Sequence, residues 1–265
     1  MSTFVCKTNE GHIIKTMGEL LQNNIKTGCY IVDKNGIKQR IMDNNKTMLI
    51  DIELESQNFN SFKINDDKVI TFGINHQHFY KMLKSIKKKD IISLFIENEK
   101  TCDLGIEIMP KEKNRVTTSY IKMQQMQNLA IDLPEGYGKP LIISSSEFQK
   151  MIKDMNNICN SIRITSKDNT VAFCCDADGV YKRNVVFGDE EKDGKEPFTQ
   201  LFDTELLTRI SKISGLNNVI HVYQARDLPL RIQSQVGNLG KINIFIKSKD
   251  QIEEDNINDD EEDDE

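Results

Sequence analysis

The sequence predicts an α+β chain built from two similar halves, each combining antiparallel sheet with two amphipathic helices. Three observations predict it. The order amphipathic helix, alternating strands, second amphipathic helix, further strands is written twice along 265 residues. Between the copies, residues 119–137 hold no lasting apolar period and close with Pro134 and Gly136, which reads as an extended connector. Hydrophobic residues at 38% and charged residues at 29% suit a globular protein, and the length suits two domains of about 100 to 150 residues. The expected division is a first domain over 1–118, the connector over 119–137, a second domain over 138–249 and an acidic tail over 250–265.

Each element follows from its own pattern. Ile13, Ile14, Met17, Leu20 and Leu21 share one helical face over 12–23. Residues 29–32 and 37–42 read as a hairpin turning at Asn35-Gly36, and 48–54 with 59–64 as a second antiparallel pair. Residues 69–74 lead into a helix whose stripe is Phe79, Met82, Leu83 and Ile86. Strands are then expected at 91–96, 103–108 and 115–122. After the connector come a strand at 141–143 and a helix opened by a serine cap before Glu147, with Phe148, Met151, Ile152 and Met155 facing inward. Strands at 161–165, 170–175 and 180–187, an acidic loop over 189–196, and a helix capped by Asp203 with Leu206, Leu207, Ile210 and Ile213 inward lead to strands at 219–223, 230–234 and 241–246.

The duplication can be read directly. A gap-free overlay puts Phe79-Tyr-Lys-Met-Leu-Lys84 on Leu207-Thr-Arg-Ile-Ser-Lys212, so basic residues at i and i+3 coincide. All four helices turn an apolar side inward and a basic side outward, the latter carrying Lys15, Lys81, Lys84, Lys150, Lys153, Arg209 and Lys212. Such a face suits phosphates, which need charge and reach but no hydrogen-bond fork aimed at a base edge. Binding by so few charges is weak and sequence-independent. Enclosure of the duplex would make it durable.

Charge divides along the chain. The net charge of −6 includes eleven acids and no base beyond Lys249, leaving a body with 35 basic against 30 acidic residues. The tail is too charged to bury and is expected to be disordered. Six cysteines without a Cys-x-x-Cys pair read as reduced core thiols, and His76-Gln-His78 reads as polar residues at a helix start rather than a metal site. No stretch has the length of a membrane span, and Met1 to Lys7 lacks the order of a signal peptide, so a cytosolic or nuclear location and no membrane partner are expected. No Gly-rich phosphate loop, nucleophile elbow or metal-ligand cluster occurs, so no catalytic residue, metal or cofactor is expected, and the chain is not read as an enzyme.

Several motifs in one order carry a resemblance. Ile41-Met42-Asp43 before Leu49-Ile-Asp-Ile-Glu-Leu54, Lys81-Met-Leu-Lys84 before Asp90-Ile-Ile-Ser-Leu94, Leu133-Pro134-Glu135, Glu147-Phe148, Asp227-Leu-Pro-Leu230 and Gly240-Lys-Ile-Asn-Ile-Phe245 together resemble the proliferating cell nuclear antigen (PCNA) family of DNA sliding clamps over residues 4–249. The resemblance implies the DNA clamp fold, a homotrimer closing head-to-tail into a pseudo-sixfold ring around double-stranded DNA, and a processivity factor for DNA polymerase in replication and repair. It also implies a pocket under the connector for short aromatic peptides of polymerase, clamp loader, ligase and nuclease, at Met42, Lys46, Thr47, Leu49, Ile131, Leu133, Pro134, Tyr137, Pro229, Leu230 and Phe245. The subunit contact falls on Arg115, Thr117, Tyr120 and Ile121 of one chain and Tyr181, Val185 and Phe187 of the next. Lys46, Asp132 and Lys247-Ser248 depart from the family's usual histidine, glycine and Ala-Pro, which bears on partner preference. The Asn, Lys and Ile richness fits an AT-rich genome, so the nucleus or the cytoplasmic replication site of a large DNA virus is the expected location. The rival readings are a subunit of a heterotrimeric checkpoint clamp, a monomeric processivity factor, and an acidic-tailed interaction scaffold that does not touch DNA.

Overall fold

The computed structural model describes residues 3–65, 68–98, 102–112, 114–127, 130–167, 169–189 and 196–262, the last five by backbone alone. The first half runs β1 (Phe4–Thr8), α1 (Gly11–Asn24), β2 (Thr27–Asp33), β3 (Gly36–Met42), β4 (Met48–Glu55), a 3-10 turn (Ser56–Asn58), β5 (Ser61–Ile64), β6 (Ile70–Asn75), α2 (His76–Leu83), β7 (Ile91–Ile96), β8 (Asp103–Met109) and β9 (Thr117–Lys122). The second runs β10 (Leu141–Ser144), α3 (Ser145–Asn156), β11 (Ser161–Lys167), β12 (Thr170–Ala177), β13 (Tyr181–Phe187), β14 (Phe198–Asp203), α4 (Thr204–Arg209), a 3-10 turn (Ser211–Gly215), β15 (Val219–Tyr223), β16 (Leu230–Gln235) and β17 (Gly240–Ile246), followed by α5 (Lys249–Glu262).

Three antiparallel sheets result, in the orders β5-β1-β7-β8-β9, β10-β15-β16-β17-β4-β3-β2-β6 and β13-β12-β11-β14. The eight-stranded sheet belongs to both halves, joined where β17 pairs with β4 from Gly240↔Leu54 to Ile246↔Met48. Strand alternation sends Ile50, Ile52, Leu54, Ile242, Ile244 and Ile246 into the core beneath the helices, and Asp51, Glu53, Lys241 and Asn243 to the opposite face. The helices form one layer in the order α2, α1, α4 with its 3-10 turn, α3. Leu20, Leu21, Leu83, Phe148, Ile152 and Leu207 have no exposure at all. Burial of that completeness contributes about 1.5–3 kcal/mol per side chain.

The capping confirms the repeat. Asn75 Oδ1 accepts the His78 amide at 3.0 Å and Asp203 Oδ1 the Glu205 amide at 2.8 Å, and the overlay of Lys81 on Arg209 also puts Asn75 on Asp203. The α3 cap is Ser144, whose Oγ accepts the Glu147 amide.

Four sequence expectations need correction. Strand β4 does not pair with β5; it pairs with β3 and β17, while β5 pairs with β1 in another sheet, because the turn at Ser56–Asn58 carries the chain across. The near-continuous burial of β4 marks a strand central to a sheet, which local alternation does not distinguish from a hairpin arm. Residues 119–122 belong to β9, so the connector starts at Met123, and it is fastened at once by the Gln124 and Gly73 backbones, each donating to the other at 2.8 Å. Residues 250–262 of the expected disordered tail are helical. The Ser248 amide donates to Gln251 Oε1 at 2.9 Å and the Gln251 amide to Ser248 Oγ at 3.3 Å, a capping box the charge count concealed. Finally, Cys102, expected among the core thiols, is exposed; His76 does open α2, and its burial is considered below. Most of the acidic loop expected over 189–196 lies outside the described residues.

Candidate DNA face, partner pocket and subunit edges

The seven basic residues of the helix layer divide into two groups. Lys81, Lys84, Lys150 and Lys153 are exposed, and no ion pair engages them among the described residues; Lys84 lies 5.6 Å from the Tyr80 ring centroid. The other three are half-buried and occupied. Lys15 Nζ donates to the Lys84 and Ile86 carbonyls at 2.7 and 3.1 Å, closing the C-terminal end of α2. Lys212 pairs with Glu19 of α1 at 2.7 Å, and Arg209 with Glu205 one turn before it at 2.6 Å. Those three tie the layer together and lend it less free charge. Helical spacing alone could not reveal this, since each partner except Glu205 comes from another helix.

The pocket lies on the face of the eight-stranded sheet away from the helices. Met42, Lys46, Thr47, Met48, Leu49, Asp132, Pro134, Pro229, Phe245 and Lys247 line a cavity of about 70 Å³ between the sheet and the connector. One wall is rigid because buried Asp43 accepts the Thr47 and Met48 amides with Oδ1 at 2.8 Å each and the Thr47 hydroxyl with Oδ2 at 2.8 Å. Lys46 takes a left-handed φ of 54° there.

Four expected pocket residues stand elsewhere. Leu230 is fully buried, because it pairs with Ile246 and points to the core side, whereas its neighbour Arg231 pairs with Phe245 and shares the pocket's face. Ile131, Leu133 and Tyr137 are half-buried on the connector outside the cavity lining. Ile131 offers its carbonyl to Arg40 Nη1 at 2.8 Å, and the Tyr137 hydroxyl donates to the Pro229 carbonyl at 2.7 Å. The Arg231 guanidinium sits 4.5 Å from the Tyr223 ring centroid and 5.7 Å from those of Tyr137 and Phe245. Sequence reading missed Arg40, Asp43 and Arg231, although the alternation of 230–235 could have put Arg231 on this face. Helix α5 begins beside the pocket: its Asp255 pairs with Lys247, its Lys249 ammonium meets Ser161, and Gln251 Nε2 donates to the Asp227 carbonyl at 3.1 Å.

The repeat also singles out two edges. Matching β1–β4 and β6–β9 to β10–β13 and β14–β17, the within-chain pair β4–β17 joins the fourth strand of one unit to the last strand of the other. The same two places in the remaining units are β13 and β9, and both are sheet edges. Large apolar side chains stand exposed on or beside them: Tyr120 (55%) and Val116 (52%) at β9, Tyr181 (54%) and Val186 (51%) at β13. Of the expected contact residues, Arg115, Thr117, Tyr120 and Tyr181 are exposed, Val185 and Phe187 half-buried, and Ile121 buried in its own sheet. Phe187 packs edge-on against Phe173 at 5.9 Å.

Among the described residues no group of His, Cys, Asp and Glu could hold a metal ion, and no helix is long and apolar enough to cross a membrane. His76 commits both ring nitrogens inside the protein: Nδ1 donates to the Ile25 carbonyl at 2.8 Å, leaving Nε2 to accept from Tyr30 Oη at 2.9 Å and Gln39 Nε2 at 3.1 Å. A Cβ on Gly28 would stand 1.9 Å from Gln39 Nε2, so this cluster requires glycine there.

Two repeats of sheet and helix, sharing a sheet on one side and a helical layer on the other, define the class as the two-domain DNA clamp fold. The chain belongs to the proliferating cell nuclear antigen family: residues 3–131 match its N-terminal domain and residues 134–249 its C-terminal domain. Relatives include a probable DNA polymerase sliding clamp of Paramecium bursaria Chlorella virus 1, 22% identical over 254 residues that cover 92% of this chain and 95% of the relative. The proliferating cell nuclear antigen of Chaetomium thermophilum is 22% identical over 253 residues, covering 92% and 96%.

Proposed function

We propose that this chain is a sliding clamp that acts as a DNA polymerase processivity factor, three copies closing head-to-tail around duplex DNA. The observation that carries the reading is the pair of edges β9 and β13, which occupy the repeat-equivalent places of two strands already paired within the chain. Repeating that pairing between copies would continue the sheet around a ring and remove both exposed edges. The helix layer then lines the inside, where Lys81, Lys84, Lys150 and Lys153 meet phosphates of either strand without reading bases. Family membership and the names of both relatives support the same reading.

The clamp performs no chemistry of its own and works by holding others. Polymerase, clamp loader, ligase and nuclease dock short aromatic peptides in the pocket between connector and sheet, with Met42, Leu49, Pro134, Pro229 and Phe245 receiving the apolar anchor. It operates where DNA is replicated, in the nucleus or at a viral replication site. The test loads the protein onto circular duplex DNA and then linearises it. Encirclement releases the protein over the free ends, and blocking the ends retains it. Persistence on unblocked linear DNA would exclude the ring.

A further inference from the structure

A further cavity shares no lining residue with the connector pocket. It measures about 550 Å³ and is lined by Lys87, Lys88, Lys89, Asp90, Pro110, Lys111, Glu112, Asn114 and Arg115. Its two walls are residues 87–90, after α2, and residues 110–112 with 114–115, after β8. Antiparallel pairing of β7 with β8, beginning at Ile91↔Met109, brings both to one end of the sheet. The first wall is held in shape: Ile86 is buried, the Asp90 amide donates to the Lys87 carbonyl at 3.1 Å, and Asp90 Oδ2 accepts the Lys87 amide at 2.9 Å. Asp90 is therefore spent on the turn, and Lys88 and Lys89 stand exposed at its tip.

Four lysines, with Arg115 that also stands at the proposed subunit edge, thus face one concavity against one carboxylate, Glu112, that no ion pair engages among the described residues. No ion pair engages any of the five among the described residues. Grouping like charges costs stability unless an anion answers them. The lining has no aromatic ring on which a base or nucleoside could stack, and its first wall follows α2 along the chain, a few residues beyond Lys81 and Lys84 of the proposed DNA face. We infer that this cavity is a second phosphate-binding site, one that grips the DNA backbone at the rim of the clamp where the duplex leaves the helix layer. The inference rests on the clamp reading and extends its DNA track from helices to loops.

The test removes charge at exposed positions of the full chain: Lys87→Ala, Lys88→Ala, Lys89→Ala and Lys111→Ala together. Binding to a short fluorescent duplex is followed by anisotropy across a salt series, with Lys81→Glu, Lys84→Glu, Lys150→Glu and Lys153→Glu as the helix-face comparison. Each lost phosphate contact lowers the steepness of the log–log salt dependence by about 0.9. A drop of two to three such steps, roughly, with unchanged sedimentation, supports the site. An unchanged slope in the cavity variant, with a reduced slope in the helix-face variant, overturns this inference and leaves the clamp reading standing. No change in either variant counts against the clamp reading itself. Loss of assembly would assign the cavity to the subunit contact, and loss of binding to an acidic peptide with DNA binding intact would assign it to a protein partner; either result overturns the inference.

Discussion

Asp51 of β4 and Asn243 of β17 meet at 3.2 Å across the seam where the two halves of the chain share one sheet. The contact sits in a row of polar side chains on the pocket's face. Arg40 Nε donates to Asp51 at 2.9 Å while Nη1 holds the connector, and Arg231 and Gln233 donate to Asn243 Oδ1 at 2.9 and 3.0 Å. Lys241 and Glu53 pair at 2.8 Å two residues further along, and the hydrogen bond from Lys241 holds the Glu53 carboxyl below its ordinary range. Removing the Asp51 carboxylate strands two donors at once, Arg40 Nε and Asn243 Nδ2. Asp51→Ala is expected to lower stability by about 2–3 kcal/mol in urea unfolding, and Asp51→Asn by less. A loss no larger than that of an ordinary surface substitution would show the row to be dispensable.

Burial gives His76 a pH signature. Desolvation pushes its pKa from 6.5 down to about 4, so between those values the unfolded chain takes up a proton the folded chain refuses. Its contribution is fully present above pH 6.5 and is lost as pH falls toward 4, by up to about 3 kcal/mol. His76→Gln should flatten this part of the stability profile. An equal slope in the variant would assign the effect to other groups.

Strand parity separates two neighbouring pocket candidates. Leu230→Ala is expected to cost about 2–5 kcal/mol of stability, since it empties core volume. Met42→Ala with Pro134→Ala should leave the thermal midpoint nearly unchanged and weaken an aromatic partner peptide by tenfold or more, about 1.4 kcal/mol, in calorimetry. The reverse pattern would put the pocket on the wrong face.

The edge strands predict the behaviour of the assembly. Tyr120→Ala with Val186→Asp should shift sedimentation from trimer to monomer while leaving the circular dichroism of the chain intact, since both side chains are exposed. A trimer persisting in the double variant would move the contact elsewhere, and a monomeric native chain would favour a processivity factor that binds without a ring.

Much of this was legible in the sequence because it depends on local order. Helix stripes, the Asp203 cap and the hairpin joining β2 to β3, whose turn falls on Lys34-Asn35 one residue before the expected Asn35-Gly36, come from residues within a turn or two of one another, and the duplication from comparing such local patterns. The basic faces of the helices are read by the same means, and motif order names seven of the ten residues that line the connector cavity. What sequence periodicity cannot report is who arrives from a distance. Only the tertiary structure decided that β4 pairs with β17 rather than β5, that Lys15 and Lys212 are engaged by neighbouring helices, that Leu230 faces inward while Arg231 faces the pocket, and that two segments separated by β7 and β8 bring their basic side chains to one cavity. The physical reason is common to all four: pairing, burial and charge environment are set by the partner strand or helix, and the partner lies tens of residues or more away along the chain.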